Sequence, residues 1–465
     1  MKIASLSVIS LLAFGAASAG FAETWYFDNS VSNNNSFSQT SQWWDADGAA
    51  NPAAFDFDND YVYEAFNTNN NTQAAMSGSM NFGSFTAKSN YSSTINIRNG
   101  STFYAKTFSL ETNDGSSNQS ALAITGNTAN FYVEGNLSAL NAGYGDNLFY
   151  RNLALGTRYF SGNADGSTAL KSVYVGGDVS LKNYKLQINT VNGENAVVAG
   201  SVNFGENSYL IVNALTDWNA ETQTGTLSFT QTVKVGGLKS EQQGYGTIGN
   251  WAANAEGLTR VGILELAGAE TYEFSGTIQN AVTLGGILGI SKTGSGTQIL
   301  SGQNKYTGDT AVKDGTLLMS TISADSKLIL QGGKFGATGD NALTINNVEW
   351  SGGGFAFDLG GENFTLNIGT LSGDFDATLI SELEFSNIKD GEFLLISLVN
   401  ENAALADFDG KTASYDIGGE TFDAIFEATS KGLSVSFSQV PEPAACAAIL
   451  GGLALALAAR KRNAR

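Results

Sequence analysis

The residues best suited to chemistry in this chain are acidic. Asp56, Asp58 and Asp60 are spaced two apart, so on a β-strand their carboxylates would share one face. Clustered carboxylates of this kind can bind Ca²⁺, but Tyr61 stands where a calcium loop needs glycine, and Asn67 stands where it needs a bidentate acid. We therefore expect a solvated acidic turn and no metal or other cofactor, with these three aspartates as a weak candidate metal site.

Catalytic machinery is sparse by composition. The chain has no histidine and a single cysteine, Cys446, which excludes Ser-His-Asp and Cys-His triads and histidine-based zinc sites. A glycosidase needs two carboxylates, yet the close pairs Asp374/Asp376 and Glu382/Glu384 carry no mark that separates them from the other acids. We predict no catalytic residue, so the protein is expected not to be an enzyme.

The overall composition indicates an all-β protein. The chain of 465 residues contains 55 glycines and 3 prolines, and its apolar fraction of 42% is too high for a disordered polypeptide. Glycine, asparagine and serine between short apolar runs are typical of many short strands joined by turns. The net charge of -20 argues against a nucleic-acid partner, which would need a basic surface.

The N-terminal residues 1–22 have the features of a secretory signal peptide. Lys2 precedes an apolar core, and small residues follow that would allow cleavage after Ala19 or after Ala22. This segment is too short for a comfortable membrane span. It predicts export through the Sec translocon and removal by signal peptidase.

The C-terminal residues 440–465 have three parts. Val440, Pro441, Glu442 and Pro443 are followed by an apolar run at 444–459. A basic end closes the chain, formed by Arg460, Lys461, Arg462 and Arg465. An apolar run before a basic cluster predicts a short transmembrane segment whose end stays in the cytoplasm.

The body between these ends divides into an aromatic segment and a longer repetitive one. Residues 23–64 hold three of the six tryptophans, and we interpret them as a cap that closes the open end of a β-solenoid. An aromatic carbohydrate-binding platform is the alternative. Within residues 65–439 a short phrase recurs after a valine, and its members begin at Val133, Val175, Val198 and Val235. Val175 and Val198 are 23 residues apart, which suits one solenoid coil.

The most regular stretch, 284–320, resembles a known repeat. Its phrase Lys-Thr-Gly-Ser-Gly-Thr from Lys292, then Leu-Ser-Gly-Gln-Asn-Lys-Tyr-Thr-Gly-Asp-Thr from Leu300 and Val-Lys-Asp-Gly-Thr-Leu from Val312, is similar to the autotransporter-associated β-strand repeat. That resemblance implies a right-handed parallel β-helix in a secreted or surface protein, and it implies no catalytic residues. A C-terminal membrane barrel of a self-secreting autotransporter is not expected, because residues 323–439 are too few and too irregular.

The tail resembles the PEP-CTERM sorting signal, with all three parts present in order. The resemblance implies a Gram-negative bacterium and processing by an exosortase-type membrane enzyme. It also implies transient residence in the inner membrane before delivery to the cell surface or extracellular matrix.

Together these features predict an exported, non-enzymatic surface or matrix protein with a structural or adhesive role, in possible contact with extracellular polysaccharide. A β-helical polysaccharide lyase or hydrolase that acts on extracellular glycans is the alternative.

Overall fold

The computed structural model describes residues 22–28, 38–48, 50–65, 72–89, 92–111, 120–126, 128–141, 151–156, 169–191, 193–212, 218–219, 224–225, 229–250, 260–280, 286–339, 342–360, 364–440 and 456. Signal-peptide residue Ala19, Pro441 to Pro443 of the tail, its basic end and almost all of its apolar run lie outside these ranges. Within the described part, no helix has the length and apolar character needed to cross a membrane.

The described residues form strands almost throughout. The first strands are β1 (Thr24–Asp28), β2 (Asp60–Ala65), β3 (Thr72–Met76), β4 (Met80–Ser89), β5 (Ser92–Ile97), β6 (Thr102–Glu111), β7 (Ser120–Thr125), β8 (Asn130–Val133), β9 (Leu137–Leu140), β10 (Arg151–Leu155), β11 (Ser172–Val175) and β12 (Val179–Lys182). The next are β13 (Lys185–Ile188), β14 (Ala196–Phe204), β15 (Tyr209–Val212), β16 (Trp218–Asn219), β17 (Thr224–Gly225), β18 (Phe229–Ser240), β19 (Thr247–Gly249), β20 (Arg260–Leu266), β21 (Thr271–Phe274), β22 (Thr277–Gln279), β23 (Ile287–Lys292) and β24 (Thr297–Leu300). The last are β25 (Gln303–Lys305), β26 (Thr310–Val312), β27 (Thr316–Met319), β28 (Lys327–Ala337), β29 (Leu343–Asp358), β30 (Leu366–Ser372), β31 (Glu384–Ser386), β32 (Gly391–Leu398), β33 (Thr412–Ile417), β34 (Glu420–Thr429) and β35 (Gly432–Gln439). Three 3₁₀ helices, Thr40–Gln42, Ala377–Glu382 and Ala403–Phe408, are described between them.

The strands stack as a parallel β-helix with three faces, which confirms the predicted fold class. Face 1 holds β8, β11, β20, β23, β26 and the first halves of β4, β6, β14, β18, β28 and β29. Face 2 holds β1, β2, β9, β12, β21, β24, β27, β31 and the second halves of those six strands. Face 3 is the nine-stranded sheet from β3 to β25. Parallel strands joined by such crossovers turn almost always to the right, so the right-handed sense implied by the resemblance stays a prediction.

The recurring valine phrase sets the register of the coils. Val133 pairs with Val175, Val175 with Val198, and Val198 with Val235, all on face 1. These four side chains are at most 1% exposed, so they form one apolar column inside the helix. Burial of each side chain stabilises the stack by roughly 1.5–3 kcal/mol relative to exposure.

Asparagine marks the corner between faces 2 and 3. Asn183 and Asn207 adopt φ values of 54° and 50°, a region that asparagine tolerates better than most residues. The Nδ2 of Asn207 donates to Oδ1 of Asn183 at 3.3 Å, and the Nδ2 of Asn183 donates to the Asn141 carbonyl at 3.0 Å. The side chains thus satisfy polar groups where the backbone leaves the sheet.

The aromatic segment closes the N-terminal end of the stack. Among the described strands, β1 pairs with β2 alone, and Trp44 bridges its outer edge through backbone bonds of 2.7 and 2.9 Å to Tyr26. The preceding side chain, Trp43, is fully buried, with its ring centroid 5.2 Å from Phe27 and 5.5 Å from Tyr61. The predicted cap region therefore supplies both a plug for the core and the first two rungs of face 2.

The C-terminal end is closed by antiparallel strands. β34 pairs antiparallel with β35 in a closing hairpin, and β35 also pairs antiparallel with β32. Since β32 pairs parallel with β30, it joins this small sheet to the coils. The predicted β-helix range of 65–439 thus ends in a cap of a different topology. Trp350 lies beneath this end, stacked on Phe375 at a centroid distance of 5.2 Å.

Candidate functional site

Glycines recur at the corner between faces 1 and 2. There glycines of successive coils approach one another closely, as shown by where an added Cβ would fall. A Cβ added to Gly268 would lie 2.1 Å from the carbonyl oxygen of Gly236. A Cβ added to Gly294 would lie 2.3 Å from the carbonyl oxygen of Gly268, and one added to Gly315 would lie 2.3 Å from the carbonyl oxygen of Gly294. Backbone of one coil therefore occupies the space that a side chain of the next would need. We call this column of residues 236, 268, 294 and 315 the glycine ladder.

Short polar side chains complete the same corner in earlier coils. Asn136 Oδ1 accepts a hydrogen bond from the Asp178 backbone N–H at 2.8 Å. Asp178 Oδ1 in turn accepts from the Ser201 backbone N–H at 2.7 Å. Each coil thus bonds the next through a side chain where the strand hydrogen bonds are interrupted.

A buried cation lies beside the glycine ladder. The Lys292 side chain is only 2% exposed, and its Nζ donates to the Gly294 carbonyl and, at 3.4 Å, to the Asp314 carbonyl. Burial lowers the pKa of Lys292, while Asp314 acts in the opposite direction. Because its amine is hydrogen-bonded to backbone carbonyls and closed off from solvent, Lys292 stabilises the backbone of the corner and is not placed to contact a substrate.

A buried polar pair supports the next coil. The Tyr306 hydroxyl lies 2.6 Å from Thr310 Oγ1, and Thr310 Oγ1 lies 3.2 Å from Ser326 Oγ. Asn304 Nδ2 donates to the Thr321 carbonyl at 3.0 Å. These bonds satisfy polar groups inside the stack.

Residues 290–319 match the passenger-associated-transport-repeat family. The match begins in β23 and ends in β27, so it spans one full turn of the β-helix and continues through faces 1 and 2 of the next, with Gly294 and Gly315 of the glycine ladder. It lies inside the stretch 284–320 that resembles the autotransporter-associated repeat, and it supports that part of the resemblance. Comparison with curated proteins and with solved structures gave no match.

Chemically, the matched coil is a scaffold. Its distinctive residues are glycines that contact backbone and polar groups that bond within the stack. Such an arrangement fixes the register of neighbouring coils.

Aromatic residues also form a column on the outer side of face 1, which the sequence did not predict. The rings of Tyr104 and Tyr132 stack at a centroid distance of 4.6 Å, and those of Tyr132 and Tyr174 stack at 4.7 Å. Phe57 meets Tyr104 edge to face at 4.6 Å. Each tyrosine immediately precedes an inward residue of face 1. The alternation of inward and outward residues along these strands was therefore the signal that the tyrosines face outward.

The ring faces of this column cover one another. Their near-parallel planes, 16° apart in both tyrosine pairs, present ring edges to solvent. The tyrosine faces that meet within this column are not open to a sugar, which would stack on a ring face. Instead, each pair contributes roughly 0.5–1.5 kcal/mol to the stack.

The raised pKa values of buried tyrosines predict that the folded protein loses stability at alkaline pH. Burial raises the pKa of Tyr306, and it raises the pKa of Tyr104 and of Tyr415 to about 12. Unfolded tyrosine ionises near pH 10, so from pH 10 to 12 the unfolded chain binds fewer protons and the free energy of unfolding falls. For fully buried Tyr306 the expected slope is about 1.4 kcal/mol per pH unit.

Urea unfolding at several pH values, with phenolate absorbance followed in parallel, measures this fall. The Tyr306→Phe variant should lose stability less steeply between pH 10 and 12 than the wild type, whatever its stability at pH 8. Equal slopes would contradict the assignment.

The three candidate aspartates do not converge on one site. Asp56 Oδ1 accepts from the backbone N–H groups of Asp58 and Asn59, both at 3.1 Å, which makes a local turn. Asp60 starts strand β2 and accepts from the Ser84 hydroxyl. Only Asp60 lies on a strand, so the shared face expected from the spacing does not form. The described residues hold no group of three or more histidine, cysteine or acidic side chains arranged to bind a metal ion.

One acid of each pair considered for glycoside hydrolysis has a structural partner. Asp376 Oδ1 accepts from the Thr378 N–H at 2.8 Å and caps the helix Ala377–Glu382; the Thr378 hydroxyl and N–H lower the pKa of Asp376. Glu384 Oε2 accepts from Lys334 Nζ at 2.8 Å. A general acid needs a raised pKa, and Asp376 shows the reverse.

Of the processing sites, only the two flanking positions Ala22 and Val440 are described. Ala22 is exposed and precedes β1. Val440 is 39% exposed, and its N–H donates to the Thr421 carbonyl at 2.9 Å. The folded body therefore extends up to the first residue of the predicted sorting motif.

Proposed function

We propose that this chain is an exported, non-enzymatic protein of the cell surface or extracellular matrix, in which a closed β-helix serves as a structural or adhesive element. The observation that carries the proposal is the passenger-associated repeat at 290–319, built into a coil whose polar groups bond within the stack. Repeats of this kind are associated with the passengers of surface proteins.

The sorting route is part of the proposal. The signal peptide at 1–22 directs the chain to the Sec translocon and signal peptidase, and an exosortase-type enzyme acts at Pro441 to Pro443. Two features support this order: Val440 makes the last described hydrogen bond of the C-terminal cap, and Cys446 falls beyond it. Processing there would leave the body complete and without cysteine.

Intact-mass measurement tests the route. The mature protein from the cell surface should begin near residue 20 or 23 and lack the residues after the Pro-Glu-Pro motif. Cell fractionation then locates a variant in which Pro441 and Pro443 are both replaced by Ala. We expect the body of this variant to fold but to be retained in the inner membrane.

The matched control replaces Ser436 by Ala, a partly exposed position on β35 that precedes the motif. This variant should reach the surface at the wild-type mass. Surface delivery of the double proline variant at that mass, or recovery of intact wild-type protein from the cytoplasm, would contradict the proposal.

A polysaccharide lyase or hydrolase is the other class considered. The lowered pKa of Asp376 favours the non-enzymatic role, because this acid is not prepared to donate a proton, and Glu384 is already held by its ion pair with Lys334. Release of reducing sugar from extracellular glycans by the purified protein would overturn this choice.

A further inference from the structure

A groove lies on the outer side of face 2, near the C-terminal end of the β-helix. Its floor includes Ala356 on β29, whose partner in register on β28 is Gly336, so no long side chain rises from this pair of positions. The longer side chains around this floor enclose a cavity of about 280 Å³. Its walls include Thr316, Asp358, Phe364, Glu384 and Ser386.

The carboxylates of the groove are held in place by neighbouring groups. Glu384 pairs in register with Ala356, and Asp358 with Ser386, so both acids project from adjacent strands beside the floor. Lys334 Nζ lies 2.8 Å from Glu384 Oε2. Asp358 Oδ1 accepts from Asn387 Nδ2 at 2.6 Å and from the Gly360 N–H at 3.0 Å.

These contacts fix the charge of the groove. The bond from Asn387, followed by those from Gly360 and Ser386, lowers the pKa of Asp358 below its usual range, so this carboxylate stays ionised at neutral pH. Glu384 is balanced by Lys334. The groove therefore carries one net negative charge within a chain of net charge -20. Anionic ligands are disfavoured there.

The wall chemistry selects a hydroxyl-rich ligand with an apolar face. Carboxylate and threonine or serine oxygens accept hydrogen bonds from hydroxyl groups, and Lys334 can donate them. Phe364 supplies an aromatic surface against which C–H groups pack, and its ring is held edge to face by Phe393 at 5.7 Å. A cavity of this size holds about one sugar ring.

We propose that this groove binds a neutral sugar residue within an extracellular glycan chain, without cleaving it. This proposal adds a ligand to the adhesive role. It rests on the proposed function only in placing the protein outside the cell, where it would meet such a glycan. Binding without cleavage follows because its hydrogen bonds keep Asp358 a carboxylate, so this acid is not prepared to protonate a leaving group, and Glu384 is ion-paired with Lys334.

The test uses the purified mature protein and isothermal titration calorimetry. The probes are neutral hexasaccharides of glucose, galactose and mannose, with hexagalacturonate as the anionic comparison. We expect saturable, weak binding of at least one neutral hexasaccharide, at least tenfold weaker binding of hexagalacturonate, and no release of reducing ends.

Two variants probe the groove from different sides. Phe364→Ala removes the aromatic wall, and Glu384→Gln removes one acceptor; each should weaken binding about tenfold. Tyr174→Ala is the matched control, since it removes an outward aromatic ring from face 1, and it should bind like the wild type. Thermal unfolding of each variant identifies any that fails to fold, in which case the other groove variant decides.

Unchanged binding by a folded groove variant would overturn the site, as would equal affinity for hexagalacturonate or no saturable binding of any neutral probe. These results are independent of cell fractionation. A correctly exported protein that binds none of the neutral probes would refute the groove and leave the proposed function standing.

Discussion

Replacing Gly294 by Ala should unfold or strongly destabilise the β-helix. A Cβ at this position would lie 2.2 Å from the Ala267 carbonyl carbon and 2.3 Å from the Gly268 carbonyl oxygen, both backbone atoms of the preceding coil. The coils can separate only by stretching strand hydrogen bonds and by exposing the apolar column beneath the corner. We expect the free energy of unfolding to fall by about 2–6 kcal/mol, the sum of the cost of overpacking and the cost of backbone groups left without hydrogen-bond partners.

Urea unfolding of Gly294→Ala measures this loss, with Gly78→Ala as the matched control. Gly78 has no heavy atom within 4 Å of an added Cβ, and its φ is not in the left-handed region. The control should therefore change stability by less than about 1 kcal/mol. Equal midpoints for wild type and Gly294→Ala would show that the glycine ladder does not set coil spacing.

Replacing Trp43 by Ala should open the N-terminal end of the core. The Trp43 ring is fully buried and contacts Phe27, Phe55, Tyr61 and Phe82 at centroid distances from 5.2 to 6.3 Å. Loss of such a ring leaves a cavity and costs roughly 3–5 kcal/mol. It also removes the plug over the first rung, so the variant should associate at concentrations where the wild type does not.

Trp44→Ala is the control for this prediction. Its side chain is 43% exposed, and its contribution to the edge of β1 comes from backbone bonds to Tyr26 that alanine keeps. We expect a change below about 1 kcal/mol and no new association. Sedimentation velocity and urea unfolding of the two variants side by side measure both effects, and similar behaviour of the two would contradict the plug.

The fold was predictable wherever its signal was local. The phrase after Val133, Val175, Val198 and Val235 repeats apolar and glycine positions over a few residues, and the structure places its members in one register. The closing hairpin was predictable for the same reason, since β34 and β35 are neighbours in the chain with matched alternation.

The outer surfaces were not predictable, because they depend on which coils become neighbours. Tyr132 and Tyr174 each precede a member of the recurring phrase, so alternation places both rings outward, but their separation of 42 positions gives no sign that the rings stack on each other. The groove depends on Gly336 facing Ala356, which follows two shifts of register between Leu330 and Lys334. Such shifts are set by packing between coils and leave no periodic trace in the sequence.

The place of β35 between β32 and β34 has a mechanical consequence for a chain held by its C-terminal end. Tension applied at Gln439 acts along β35, and antiparallel ladders on both sides resist it. In this shear geometry many backbone bonds bear the load together, whereas tension across the parallel coils would open them one at a time. The pairing of β35 on both sides thus lets the C-terminal cap resist tension applied at its last strand.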